Sequence, residues 1–198
     1  MKKITLLLVL IGILGGCKDT DIEYIFPKDY FPAYPESYWV YSDGTTVKVS
    51  PGYHKHNYYE ELETNVTSDE VYVPKIDNEY VYQYSITQND NRVPLKKLLS
   101  ESTNDDWIVS YWQNGEMRRR VINNDTSVTL TTPIENNDQQ TFDSCIIVQE
   151  YFKDTAAQPW LTKEIYAPKI GLIRQEIRRE GDSLITKELV RYFISEDI

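Results

Sequence analysis

The sequence predicts a mainly β protein, a single antiparallel domain with little helix. Runs rich in Tyr, Val, Ile, Thr and Trp recur along the chain, and several of them alternate between apolar and polar positions. Turn signals built from Gly, Asn and Asp separate many of these runs at intervals of about eight to twelve residues. Together these observations favour a curved sheet or half-barrel, or a sandwich, and they leave the choice among these open.

Three hairpins are predicted from their turn residues. Asp-Gly and Asn-Gly pairs suit tight turns because both positions tolerate positive φ. The paired segments and their turns are residues 37–41 and 45–49 around Asp43-Gly44, residues 107–112 and 117–122 around Asn114-Gly115, and residues 172–178 and 184–194 around residues 180–183.

The remaining strand signals are short runs of β-formers. They lie at residues 70–73, 79–86, 127–131, 142–152 and 160–166. One stretch, residues 93–99, instead predicts one or two helical turns, because Leu95, Leu98 and Leu99 would share one side of a helix.

The N-terminus predicts export. Lys2 and Lys3 precede an apolar run at residues 4–14, which is too short for a permanent transmembrane helix of about 20 residues. Basic residues before such a run and small residues after it are typical of a signal peptide, here residues 1–16.

The end of this leader, Leu-Gly-Gly-Cys at residues 14–17, resembles the lipobox of bacterial lipoproteins. The resemblance implies cleavage before Cys17 and lipidation of that residue, with palmitate as a typical acyl group. Each buried methylene of such an anchor contributes about 0.8 kcal/mol. Residues 17–36 then form the lipidated start and an extended tether, and residues 37–198 form the β domain. An incidental cysteine in a secreted protein is the alternative.

The residues after Cys17 indicate on which side of the membrane the protein lies. Lys18, Asp19 and Asp21 resemble the export signal that sends lipoproteins of Bacteroidota to the cell surface, although Thr20 interrupts the acidic pair. The resemblance implies an outer-membrane lipoprotein displayed outward. A solvated acidic tether is the alternative.

Two further segments resemble small, uncharacterised lipoproteins of Bacteroidota. Tyr-Phe-Pro at residues 30–32, followed by residues 36–41, is similar to their opening motif, and residues 164–173 are similar to a segment near their C-terminus. Glu36 and Lys169 stand where those motifs have glycine. The resemblance implies a curved antiparallel sheet and an envelope location, and it implies no particular activity.

Charge and cysteine content exclude some function classes. The net charge of −10 becomes more negative when the leader with its two lysines is removed, and this disfavours binding to nucleic acid. If Cys17 carries lipid, Cys145 has no disulfide partner. Cys145 lies in an apolar run, so we expect a buried core thiol rather than a reactive one.

Aromatic residues are candidates for contacts with a glycan or protein partner, because Tyr and Trp combine a flat apolar face with a polar group. The candidates are Tyr53, Tyr58 and Tyr59, in a polar segment, and Trp107 and Trp112, in a predicted strand. The alternative is that these side chains fill half-buried strand positions.

Metal and catalytic signals are weak. His54 and His56 would share one face of a strand, but a catalytic zinc site normally needs three protein ligands, so a solvated loop is the preferred interpretation. No nucleophile-elbow, zinc-helix or phosphate-loop motif occurs in the sequence. We therefore expect no catalytic residues, no metal and no cofactor.

The sequence thus predicts a non-catalytic, lipid-anchored binding or assembly module of the cell envelope. A structural accessory subunit of an outer-membrane protein complex is the first alternative. An enzyme acting on an extracellular substrate is the second, and it requires carboxylates or the two histidines to converge in a pocket.

Overall fold

The structure is a computed structural model that describes residues 29–49, 62–65, 69–76, 80–86, 92–112, 115–135, 137–153 and 160–195. These residues contain twelve β-strands. They are β1 (Tyr38–Tyr41), β2 (Thr46–Val49), β3 (Leu62–Asn65), β4 (Asp69–Ile76), β5 (Tyr80–Ile86), β6 (Arg92–Ser100), β7 (Asp106–Trp112), β8 (Gly115–Thr129), β9 (Thr141–Phe152), β10 (Thr162–Ala167), β11 (Gly171–Arg178) and β12 (Leu184–Phe193).

The strands form one open antiparallel sheet in the order β6-β5-β4-β3-β2-β1-β12-β11-β10-β9-β8-β7. Strands β6 and β7 are its two edges. A single 3-10 turn, Glu180–Asp182, is the only helical element in the ranges given above, and none of those ranges holds a helix with the length and apolar character needed to cross a bilayer. The predicted mainly β, antiparallel fold with little helix is confirmed.

The three predicted hairpins are present. In the first, Gly44 has a φ of 87° and the backbone N–H of Thr45 donates to Asp43 Oδ1 at 2.9 Å. Strand β7 pairs with β8, which begins at Gly115, and β11 pairs with β12 across Gly181, whose φ is 76°. The first and third turns therefore place a glycine at positive φ, and residues 113–114 of the second turn lie outside the described residues.

Two strand predictions need correction. Residues 117–122 and 127–131 were expected to form separate strands, but Gly115–Thr129 is one strand whose register with β9 shifts three times. Residues 93–99 form the edge strand β6 rather than helical turns. An edge strand tolerates Pro94, and in an extended backbone Leu98 and Leu99 are buried.

The sheet buries apolar side chains in two clusters. On β10, Ile165 belongs to a cluster with Trp39, Phe142 and Leu189. The neighbouring Tyr166 belongs to a second cluster. That cluster also contains Leu98 and Leu99 from one edge strand and Trp107 from the other. The two edges therefore approach each other although they share no hydrogen-bond ladder.

The thiol of Cys145 lies inside the first cluster and is fully buried. Burial raises the pKa of this thiol to about 11, and Sγ lies 3.3 Å from the carbonyl oxygen of Phe142. A thiol in this environment is protonated at neutral pH and shielded from solvent. The prediction of a core thiol is confirmed.

The turn between β10 and β11 explains the glycine of the C-terminal motif. Lys169 has a φ of 61° and Gly171 a φ of 91°, and a Cβ at Gly171 would lie 3.3 Å from Cδ of Pro32. Glu36, the other replacement of glycine, has a φ of 69°. Both replacements therefore hold a left-handed backbone conformation that glycine adopts without strain.

Candidate ligand-binding groove

An open groove of about 470 Å³ lies where the start of β1 and the end of β12 meet the β8–β9 loop and the β10–β11 turn. Its volume is within the range of about 300–1,000 Å³ that is common for small-molecule sites. The groove is lined by Tyr38, Glu135, Asn137, Lys169, Ile170, Arg191, Tyr192, Phe193 and Ile194.

Two aromatic rings form the apolar part of the groove. Tyr38 on β1 is the cross-strand partner of Phe193 on β12, and their ring centroids lie 5.9 Å apart at an interplanar angle of 28°. Phe193 remains 50% exposed. A large aromatic ring held in place by a stacked neighbour yet open to solvent is a suitable contact for a ligand.

The loop between β8 and β9, residues 130–140, forms one wall. Its backbone is tied to β12 because the N–H of Glu135 donates to the carbonyl oxygen of Val190 at 2.7 Å. Asn137 Nδ2 donates to the hydroxyl oxygen of Tyr192 at 3.0 Å. These bonds fix the backbone at Glu135 and the amide of Asn137 beside the groove.

Glu188 anchors the start of this loop. Its carboxylate accepts hydrogen bonds from the backbone N–H and hydroxyl of Thr131, from the N–H of Thr132 at 2.7 Å, and from Nε of Arg174 at 2.8 Å. Burial alone would raise the pKa of Glu188, but the hydrogen bonds from Thr131 and Thr132 outweigh it and lower the pKa to about 2.

The turn between β10 and β11 forms the opposite wall. The backbone N–H of Lys169 donates to the carbonyl oxygen of Asp29 at 2.6 Å. The buried Trp39 donates from Nε1 to the carbonyl oxygen of Ile170, also at 2.6 Å. These two bonds fix the turn that carries the exposed Lys169 side chain.

Three charged side chains of the described residues line the groove, and two of them are cations. Arg191 Nη1 lies 3.4 Å from Glu135 Oε2, and both side chains are about half exposed. The Lys169 ammonium has no carboxylate within ion-pair distance in the described part of the chain. The groove therefore carries an excess positive charge on a protein whose net charge is −10.

A second polar cluster is buried in the core and centres on Arg119. Its guanidinium is 1% exposed and contacts Glu164 through Nη2 and Glu150 through Nη1, the latter at 3.3 Å. Tyr166 and Gln175 also donate to the Glu164 carboxylate, at 2.6 Å and 2.9 Å. Burial disfavours the charged guanidinium, but the attraction to Glu164 outweighs this and raises the pKa of Arg119.

The Arg119 cluster is a structural feature rather than a candidate site. Arg118 and Arg120 point to the opposite face from Arg119, as the alternation of a strand predicts, and Arg118 pairs with Asp106 at 2.7 Å. Residues 118–120 therefore lie on two faces of the strand and do not form one basic patch.

Most of the sequence-predicted site residues lie outside the described residues. These are Cys17, Lys18, Asp19, Asp21, Tyr53, His54, His56, Tyr58 and Tyr59. The backbone of Trp112 ends β7, and nothing is described of its side chain.

Trp107 is the one candidate contact whose side chain can be placed. It is 9% exposed, and its Nε1 donates to the carbonyl oxygen of Lys97 at 3.0 Å. The Lys97 ammonium lies 4.3 Å from the ring centroid. Trp107 thus packs into the core near the edge of β6 and presents little surface to a partner.

The groove residues were not singled out from the sequence. Tyr38 and Phe193 each lie in a strand where an aromatic side chain is unremarkable. Among the groove residues, only Lys169 is conspicuous in the sequence, because it stands where the motif has glycine. Within the part of the chain whose side chains are described, no group of three or more His, Cys, Asp or Glu could hold a metal ion.

Two solved structures are similar to this one. A protein from Bacteroides fragilis, described as exported and as having a YmcC-like fold, is 12% identical with a TM-score of 0.44, covering 84% of this chain and 99% of its own. A protein from Parabacteroides distasonis, described as a lipoprotein, is 13% identical with a TM-score of 0.45 and the same two coverages. No protein-family model matches the sequence, and no curated protein matches it.

Proposed function

We propose that this protein is a non-catalytic binding module of the cell envelope, anchored by lipid on Cys17 to the outer membrane and displayed at the cell surface. The groove between β1, β12 and the two loops is its binding site. The observation that carries this proposal is the half-exposed ring of Phe193, stacked on Tyr38 beside the exposed side chains of Lys169 and Arg191.

The construction of the groove suits recognition. Its aromatic side chains come from two paired strands, and both of its loop walls are fixed by hydrogen bonds of 2.6–2.7 Å to backbone carbonyl oxygens. A site whose parts are already in place loses little conformational entropy when it binds a ligand. Apolar ring faces, an amide and opposite charges within one groove then provide both affinity and orientation.

Removal of the Phe193 ring tests the site. We expect Phe193→Ala to weaken binding of the mature protein to the solubilised envelope fraction of its host by about tenfold or more, since truncation of an aromatic anchor commonly costs about 2 kcal/mol. The matched control is Tyr111→Ala, because Tyr111 is 75% exposed on the edge strand β7 and does not line the groove. Unchanged binding by Phe193→Ala would refute the groove as the site.

The lipid anchor is tested separately. When cells are fed an alkyne analogue of palmitate, the wild-type protein should carry the label and sediment with membranes. Cys17→Ser should lose both properties, because the anchor depends on acylation of that one thiol. Cys145→Ser is the control and should keep the label, since Cys145 is buried in the core. Labelled Cys17→Ser protein would contradict the proposed anchor.

A second candidate function is that of an accessory subunit docked through the edge strand β7. The observation that favours it is the exposure of Ile108 and Tyr111, at 38% and 75%, on a strand that is an edge of the sheet formed by the described residues. Exposed edge strands can pair with a partner chain. In this case a stoichiometric protein partner would be recovered with the wild type and with Phe193→Ala after crosslinking, but not with Tyr111→Ala.

A further inference from the structure

We propose that the ligand of the groove is an acidic saccharide, with a sugar ring on the faces of Phe193 and Tyr38 and its carboxylate held by Lys169 and Arg191. This inference rests on the proposed function and specifies the ligand class of the same site.

The charge of the groove favours an anionic ligand. The single acid that lines the groove, Glu135, is already paired with Arg191 at 3.4 Å, while Lys169 has no acidic partner within the ranges that the structure describes. The groove thus carries a charge opposite in sign to the net charge of the protein, which is −10. Such a groove attracts anions, so a negatively charged ligand fits it best.

Lys169 holds a strained backbone conformation. Its φ of 61° belongs to the left-handed region, where a residue other than glycine costs of order 1–3 kcal/mol. The side chain is exposed, so packing does not explain the choice of a lysine here. An ammonium that acts on a ligand in the groove does explain it.

The surface of the groove suits a ring-shaped ligand. The stacked pair of Tyr38 and Phe193 presents apolar ring surface, and the amide of Asn137 with the hydroxyl of Tyr192 adds a hydrogen-bonding pair beside it. A pyranose has the matching chemistry, because its C–H faces are apolar and its edge carries hydroxyl groups. A volume of about 470 Å³ leaves room for a short oligosaccharide.

The position of the groove disfavours an acidic peptide. Strand β1 is paired with β2 and β12, and β12 is paired with β1 and β11, so neither has a free edge. An extended peptide therefore cannot add to the sheet at this site, and it would lose the main-chain hydrogen bonds that give strand addition its affinity.

The test uses full-length mature protein in detergent and calorimetric titration with tetramers of galacturonate, of glucuronate and of sialic acid. Each acidic oligomer is compared with its own methyl ester, which keeps the rings and removes the charge. We expect at least one acidic oligomer to bind about tenfold tighter than its ester, with an affinity that falls as salt rises.

Lys169→Gly is the decisive variant. Glycine suits the φ of 61°, so the fold should be retained while the ammonium is removed. We expect the preference for acid over ester to fall about tenfold in this variant. Lys153→Met, which removes an exposed lysine outside the groove, should keep the preference.

The outcomes separate this inference from the proposed function. Equal binding of acid and ester, a preference that persists in Lys169→Gly, or binding of none of the three acidic oligomers would overturn the acidic saccharide. If Phe193→Ala still weakens binding to the envelope fraction in those cases, the groove remains the binding site and only the ligand class is wrong.

Discussion

Arg119→Met will lower the free energy of unfolding by about 3–5 kcal/mol, the range for breaking a buried ion pair by removing one partner. Arg119 is 1% exposed, and the carboxylate of Glu164 is 8% exposed. Without the guanidinium, Glu164 keeps the hydrogen bonds from Tyr166 and Gln175 but has lost its positive partner. Urea unfolding followed by circular dichroism measures the change.

The neighbouring arginine provides the control. Arg120 is exposed and lies over the ring of Tyr151 on the other face of β8, so Arg120→Met should cost less than about 1 kcal/mol. The double variant Arg119→Met, Glu164→Gln should recover part of the lost stability, because the uncompensated negative charge is gone. Equal effects of Arg119→Met and Arg120→Met would refute the buried ion pair.

Glu188→Gln will remove about 3 kcal/mol of stability at pH 7, because the pKa of Glu188 falls from 4.5 to about 2 on folding. A lowered pKa means that the folded state favours the ionised carboxylate. This stabilisation is present above pH 4.5 and is lost as the pH falls through about 2. Thermal unfolding at pH 7, 4.5, 3 and 2 measures it.

The wild type and Glu188→Gln should therefore converge in stability near pH 2. Asp182→Asn is the control, since Asp182 is 80% exposed in its ion pair with Arg178 and should change the pH profile little. Because Glu188 anchors the loop that carries Glu135 and Asn137, Glu188→Gln should also weaken binding in the groove. An unchanged pH profile in Glu188→Gln would contradict the anchoring role.

The sequence was sufficient for the hairpins because their signals are local. Asp43 and Gly44 fix a turn through one side-chain hydrogen bond and one positive φ, and neither depends on distant residues. Cys145 was also placed correctly, since an apolar strand context alone predicts burial.

Predictions from local sequence patterns were wrong where pairing within the sheet determines the backbone conformation. The spacing of Leu95, Leu98 and Leu99 suits a helix, but residues 92–100 are hydrogen-bonded to β5, which extends them. The length of β8 was missed for a similar reason. Register shifts in its ladder with β9 accommodate the polar residues that separated the two expected strands.

The groove could not be predicted because its residues come from four distant parts of the chain. Tyr38, Asn137, Lys169 and Phe193 meet only after β1 pairs with β12 and the β8–β9 loop packs beside them. Each residue looks ordinary in its own segment. The replacement of a motif glycine by Lys169 was visible, but its meaning depends on the positive φ and on the neighbouring aromatic rings.

Hydroxyl-radical footprinting tests the central claim, that this groove is the binding site, most directly. The mature protein would be oxidised alone and with the envelope fraction of its host, and modification of single side chains would be read by mass spectrometry. We expect the envelope fraction to protect Phe193 and Tyr38, while the exposed Tyr111 is modified at the same rate with and without it. Protection of Tyr111 with no change at Phe193 and Tyr38 would contradict this claim.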